Sequence, residues 1–173
     1  MTQPLFAPWR IRYILDKSKQ GKREGSSCFM CDSAQSPERD PDHLVVARLP
    51  SYFLILNRYP YAGGHLLLCP YEHVGQLTEL PPKVLMDLGE SLKQVQELLQ
   101  SLMQPHGINM GINLGEAAGA GFADHLHFHI IPRWNGDTNF LPLLADIQVI
   151  PQALEELYVA LKTQWNQRNV SKT

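Results

Sequence analysis

The sequence predicts an α+β fold in which a mostly antiparallel sheet carries one long helix and a C-terminal helix, and three observations point there. Short runs rich in β-forming residues, 44–49 (LVVARL), 52–57 (YFLILN) and 65–69 (HLLLC), are separated by Pro50-Ser51 and by Tyr61-Ala62-Gly63-Gly64, turn signals spaced for a meander. From Pro82 to Met103, apolar residues at Val84, Leu85, Leu88, Leu92, Val95, Leu98, Leu99 and Leu102 recur every three or four positions, as one buried helix face requires. Two more β-type runs, 108–114 and 125–131, follow that helix, and strands joined by tight turns favour antiparallel pairing.

Each remaining stretch has a local reason. Residues 1–15 mix proline, tryptophan and apolar residues, and 16–27 (DKSKQGKREGSS) form a polar, glycine-containing loop. The prolines in 32–42 (DSAQSPERDPD) exclude a continuous helix there. The long helix should end near Pro105-His106-Gly107, a glycine-rich bend spans 115–121, and a last helix over 151–167 should turn Leu154, Leu157, Tyr158, Leu161 and Trp165 inward. At 173 residues, 44% of them hydrophobic, the chain suits a single well-buried domain. It divides into an N-terminal extension (1–43), a core (44–140) and a C-terminal helical region (141–173).

Charge and cysteine usage exclude several functions. Fifteen Lys and Arg against 17 Asp and Glu give a net −2, so there is no broad cationic field for holding long nucleic acid. No run of about 18 apolar residues exists to cross a membrane, and the start lacks the order of a secretion signal, so a cytoplasmic protein is expected. In a reducing compartment, Cys28-Phe29-Met30-Cys31 favours metal ligation or redox chemistry over a structural disulfide. Cys69, inside an apolar run, reads as a small buried hydrophobe.

Three of the seven histidines stand in Asp124-His125-Leu126-His127-Phe128-His129-Ile130-Ile131-Pro132. On a strand, alternate side chains share a face at about 6.6 Å spacing, so three imidazoles line one side while Leu126, Phe128 and Ile130 enter the core. Such a row has two chemical uses. It can ligate a catalytic zinc, or one neutral ring whose tautomer is fixed by a neighbour can attack phosphorus. Just upstream, Gly115, Gly119 and Gly121 allow backbone amides to approach an anion closely.

The pattern 125–131, its continuation Pro132-Arg133-Trp134-Asn135-Gly136-Asp137-Thr138-Asn139-Phe140, and the upstream segment from Asn57 to His65 resemble the histidine-triad (HIT) superfamily. The likeness, over about Val45 to Phe140, is greatest to the branch of fragile-histidine-type dinucleoside polyphosphate hydrolases and bacterial diadenosine tetraphosphate phosphorylases. It implies a HIT-like fold and a nucleotidyl hydrolase or transferase in which His127 is the nucleophile. By the same matching, His129 orients the nucleophile or contacts phosphate, and His65 joins the network around the triad. Asn57 would meet the ribose, Ile55 and Leu67 the base, and Asn113 a phosphate. For Ile55 and Leu67, plain core packing is the default for strand residues. Gly121 departs from the pattern, since relatives often carry Gln or Ser there, so a backbone donor or water must serve the leaving group. Arg133 suits either the polyphosphate or an acidic surface residue.

A tetrahedral structural zinc wants four thiolate or imidazole ligands. Cys28 and Cys31 supply two, and His43, His73, His106 and His125 are the candidates for the rest. The resemblance implies Cys28, Cys31, His73 and His125. Four protein ligands leave no position for an activated water, which makes such a zinc structural and favours the nucleophile reading. The resemblance further implies a small nucleotide substrate and a two-fold homodimer built on the long helix and a neighbouring strand. Phosphorolysis, cleavage of nucleoside phosphoramidates, and a catalytically idle nucleotide-binding module are the alternatives.

Overall fold

In the computed structural model, residues 28–137 and 153–170 are described. The expected loop over 16–27, the boundary at 140, and residues 151 and 152 of the expected last helix lie outside the described residues. Strands β1 (Val45–Arg48), β2 (Tyr52–Leu56), β3 (Leu66–Pro70), β4 (Gly107–Ile112) and β5 (Phe128–Arg133) form one sheet in the order β1-β2-β3-β5-β4, every neighbouring pair antiparallel. The helices are α1 (Phe29–Gln35), α2 (Asp40–His43), α3 (Pro82–Met103) and α4 (Leu154–Val170).

Proline breaks the first helical segment as expected: α1 ends at Ser36, whose φ of −119° and ψ of 69° lie outside the helical region ahead of Pro37. The guanidinium of Arg48 then ties the end of α1 to the sheet, donating to the carbonyls of Ser33 (2.6 Å) and Ala34 (3.0 Å) and to Asp40 (2.7 Å). Asp40 also receives Lys162 of α4 at 3.3 Å. Lys162 and the Tyr158 hydroxyl both donate to the carbonyl of Val45 on edge strand β1, so the exposed side of that strand meets partners instead of another chain.

Helix α3 has the bounds the periodicity predicts, with Val84, Val95, Leu98 and Leu99 buried. Leu85 departs from the expected inward face and is 45% exposed. Successive helical residues are rotated by about 100°, and Val84 takes the inward position, its carbonyl receiving the Tyr52 hydroxyl at 2.9 Å. In α4, Leu157, Tyr158, Leu161 and Trp165 are buried as expected. Strands β2 and β3 are buried throughout, so they form the middle of the core.

The histidine strand begins later than the alternation suggests. Leu126 donates its N–H to the carbonyl of Val74 at 2.7 Å, a loop partner, and ladder pairing starts only at Phe128. The alternation itself persists: Leu126, Phe128 and Ile130 are buried in the core. The turn before His65 depends on Gly64, whose φ is +78°. A Cβ there would fall 2.8 Å from Met103 Sδ and 2.9 Å from Pro132 Cγ, so only glycine lets this turn close against α3 and β5.

Candidate active site and metal centre

Register sets out the site. Ile55 pairs with Leu67, Leu67 with His129, and His129 with Gly111. Directly paired residues in an antiparallel sheet share a face, so these four form one row across β2, β3, β5 and β4 with an imidazole in the middle. His127 and His125 continue along the chain from His129 on the same face.

Backbone partners decide which nitrogen of each ring carries the proton. The carbonyl of His125 lies 2.9 Å from His127 Nδ1, and since a carbonyl only accepts, Nδ1 holds the hydrogen and Nε2 keeps its lone pair. The carbonyl of Pro70 lies 3.0 Å from His125 Nε2, which puts the proton there and leaves Nδ1 bare. At His65 the Tyr61 N–H donates to Nδ1 at 3.1 Å, with the Asn57 amide nitrogen 3.2 Å away. His65 therefore donates from Nε2 to His129 Nδ1, at 2.9 Å. His129 is left protonated on Nε2, a buried nitrogen with no hydrogen-bond partner among the described residues.

Electrostatics keep these rings neutral. Burial, followed by the nearby His129 and His127 rings, pushes His65 from its ordinary 6.5 down to about 3. Burial and then His127 push His129 down to about 4. Burial also lowers His127, against the opposing pull of the His125 carbonyl. A neutral imidazole with a fixed Nδ1–H is the form that can act as a nucleophile at Nε2.

At the other end of the row, the ligating atoms of Cys28, Cys31, His73 and His125 all lie within 4.8 Å of one another. His125 Nδ1 is 3.3 Å from Cys28 Sγ, 3.6 Å from Cys31 Sγ and 3.3 Å from His73 Nδ1, and Cys31 Sγ is 3.2 Å from His73 Nδ1. Zinc bond lengths of ~2.3 Å to sulfur and ~2.05 Å to nitrogen in a tetrahedron give edges of ~3.5 Å (S to N) and ~3.3 Å (N to N). The group therefore already has the size of a zinc site. Burial, with the Cys31 thiol beside it, pushes the Cys28 thiol up to about 11. A soft cation would reverse that penalty by stabilising the thiolates, so the donor chemistry fits as well as the distances.

The HIT domain family model matches residues 38–136. The chain belongs to the HIT domain family. An AP-4-A phosphorylase of Mycobacterium tuberculosis is 35% identical over 164 residues, which span 94% of this chain and 84% of that protein. A bis(5'-nucleosyl)-tetraphosphatase (asymmetrical) of Schizosaccharomyces pombe is 37% identical over 82 residues, 47% of this chain and 44% of that one. Among solved structures, a Zn-bound histidine triad family protein from Mycobacterium smegmatis superposes with a TM-score of 0.65 at 25% identity, covering 84% of this chain and 97% of its own.

Within this HIT fold the residues singled out from sequence fall into three groups. His65, His127 and His129 come together, as do Cys28, Cys31, His73 and His125. Asn113 lines a cavity of about 250 Å³ beside His129. The others also have contacts of their own within the fold. Ile55 and Leu67 lie in the core at 4% and 6% exposure. The Asn57 side chain supports its own turn, receiving the Tyr59 N–H at 3.0 Å. The N–H of Gly119, expected to face an anion, donates to the Glu116 carbonyl at 2.9 Å and closes a 3-10 turn, with φ at +92°. Gly121 lies on the loop that follows, ahead of His125. Arg133 takes the surface option, pairing through two nitrogens with Asp137 at 2.6 and 2.9 Å.

Sequence reasoning passed over Tyr61, Asn109 and Gly111, which also line the cavity. In the sequence Tyr61 reads as a turn residue within the Asn57-to-His65 segment. Its ring stacks on His65 with centroids 4.9 Å apart and planes 25° from parallel. An aromatic residue four positions before a buried histidine was the available signal.

Proposed function

We propose that this protein is a nucleotidyl hydrolase or transferase that cleaves dinucleoside polyphosphates, such as diadenosine tetraphosphate, through a nucleotidyl-histidine on His127. The observation that carries the reading is the 2.9 Å contact from His127 Nδ1 to the His125 carbonyl, which leaves Nε2 as an available lone pair. Nε2 attacks the α-phosphorus, a P–N bond forms, and the P–O bond to the rest of the polyphosphate breaks with its electron pair leaving on oxygen. Positive charge on the ring then strengthens the hydrogen bond to the His125 carbonyl. His129 Nε2–H donates to a phosphate oxygen, the acceptor it lacks among the described residues. Water or inorganic phosphate next attacks the same phosphorus, releases the mononucleotide and restores neutral His127. The remaining residues serve placement: Asn57 for the ribose, Ile55 and Leu67 for the base, Asn113, Gly119 and Gly121 around the phosphates.

Phosphate as acceptor is favoured by the M. tuberculosis relative, whose name is AP-4-A phosphorylase. Labelled diadenosine tetraphosphate incubated with and without phosphate separates the two: ATP and ADP mean phosphorolysis, ATP and AMP mean hydrolysis. Undiminished turnover by a His127→Ala variant would overturn both.

Cys28, Cys31, His73 and His125 would hold a structural zinc, which when bound stabilises both thiolates and fixes the His125 ring. The four-donor distances and the Zn-bound relative support this. Two copies pair through α3 and edge strand β4, a reading supported by the exposure of Leu85, Met86 and Met110; light scattering checks it. Among the described residues, no helix is long and apolar enough to cross a membrane. The free thiols of Cys28 and Cys31 suit the cytoplasm. The whole chain acts as one HIT domain, the N-terminal extension supplying the cysteine pair.

A further inference from the structure

Three of the four metal-centre residues border a contact with the loop 119–124, the connection that leads into the histidine segment. Phe29 follows Cys28, and its ring meets that of Phe122 edge to face, with centroids 5.9 Å apart and planes at 82°. Val74 and Gly75 follow His73. The Val74 carbonyl accepts the Leu126 N–H at 2.7 Å, just past the loop, and a Cβ built on Gly75 would fall 2.9 Å from the Ala123 carbonyl oxygen, so the two chain segments pass in direct contact. His125 itself ends the loop, directly after Asp124.

Phe29 is 47% exposed although large and apolar. Met30 and Ser33 are the buried residues of α1, so the Phe29 ring stands outside the core and packs on Phe122, which is partly buried against the core. A helix of seven residues is not self-supporting, so the place of Phe29 depends on what anchors α1. Arg48 holds its C-terminal end, and the centre formed by Cys28, Cys31, His73 and His125 holds its N-terminal end.

We propose that Phe29 is a positioning residue that links the metal centre to the nucleotide site: through Phe122 it holds the 119–124 loop, so filling the centre fixes the loop and emptying it releases the loop. This rests on the zinc and dinucleoside polyphosphate readings given above. The tautomer of His127 depends on the His125 carbonyl, so the link bears on how the phosphates are placed and not on the attacking lone pair.

The test measures zinc affinity of the full chain by chelator competition, with no nucleotide present. An aromatic pair contact predicts that Phe29→Ala and Phe122→Ala each weaken zinc about fivefold, and that the double variant is no weaker than either alone. Phe29→Tyr, which keeps the ring, should restore the parent affinity. With zinc in excess, hydrogen exchange within 119–124 should be about fivefold faster in Phe29→Ala while β2 and β3 are unchanged. The same variant should raise KM for diadenosine tetraphosphate about fivefold and leave kcat within about twofold of the parent. Additive losses of zinc affinity overturn the proposal, as does unaltered exchange in the loop or a fall in kcat at constant KM. A parent chain that binds no zinc removes the metal reading and this proposal with it. Non-additive zinc affinities and faster loop exchange in a protein that forms no adduct on His127 would sink the catalytic reading and leave the link standing.

Discussion

His125 and His129 stand four residues apart on one segment and share one tautomer, Nε2–H with Nδ1 bare, yet the fold leaves opposite nitrogens of the two rings for use. The Pro70 carbonyl takes the Nε2 proton of His125 and turns its bare Nδ1 toward two thiols and His73. A chain of donors running from the Tyr61 N–H through His65 instead occupies the bare Nδ1 of His129 and leaves its protonated Nε2 as the nitrogen still to be partnered among the described residues. One end can give electron pairs to a cation, and the other can give a hydrogen bond to an anion. His127 sits between them with its own backbone partner, so neither end consumes its Nε2. The lesson is that a histidine's role is set less by its place in a motif than by the fixed carbonyl or amide against its second nitrogen.

Acidification should separate the ends most strongly. His65 and His129, lowered to about 3 and about 4, stay neutral in the folded protein at pH values where the unfolded chain, with histidines near 6.5, already binds protons. Stability present above pH 6.5 is therefore lost as the pH falls toward 4, by up to ~1.4 kcal/mol per unit for each ring. Urea titrations across pH 7 to 4 read this, and the slope should shrink in His65→Leu. An unchanged slope means the buried pair is not the origin.

Removing one thiolate comes next and strikes only the metal end. Cys28→Ser should carry almost no zinc after purification without added metal, and should lose ~4 kcal/mol of stability, or roughly 10 °C in melting temperature. Elemental analysis alongside calorimetry checks it; retained stoichiometric zinc would remove Cys28 from the ligand set.

At the anion end, His65→Leu breaks the relay that fixes His129. We expect kcat to drop about 10²-fold with zinc content unchanged. Loss of zinc in this variant would show that the two ends are not independent. The smallest effect belongs to the tether of α1. Asp40, largely buried, joins Arg48 and Lys162, and Asp40→Asn should cost ~1–2 kcal/mol while weakening zinc retention only slightly. Competition with a chelator measures the second part.

These contrasts also mark what the sequence makes legible. Helix α3 could be bounded from its apolar period because one buried face leaves a repeat in the chain itself. The cysteine pair, the triad and the Gly-Gly turn before His65 are local patterns and could be found for the same reason. The start of β5 was harder, because Leu126 gives its N–H to the Val74 loop and alternation alone does not reveal where ladder pairing begins. Tyr61, Asn109 and Gly111 become neighbours of His129 only through the β4–β5 register and the β2–β3 turn, and no nearby spacing encodes that meeting. The Asp40–Arg48–Lys162 cluster joins residues 122 positions apart and is equally silent in the sequence.

The central claim is that His127 Nε2 forms a bond to phosphorus. Quenching the protein at alkaline pH milliseconds after mixing with diadenosine tetraphosphate, then mapping peptides by mass spectrometry, locates that bond. The account predicts an AMP adduct on His127 that decays as product accumulates. An adduct on another residue, or single-turnover cleavage with none at all, would contradict it.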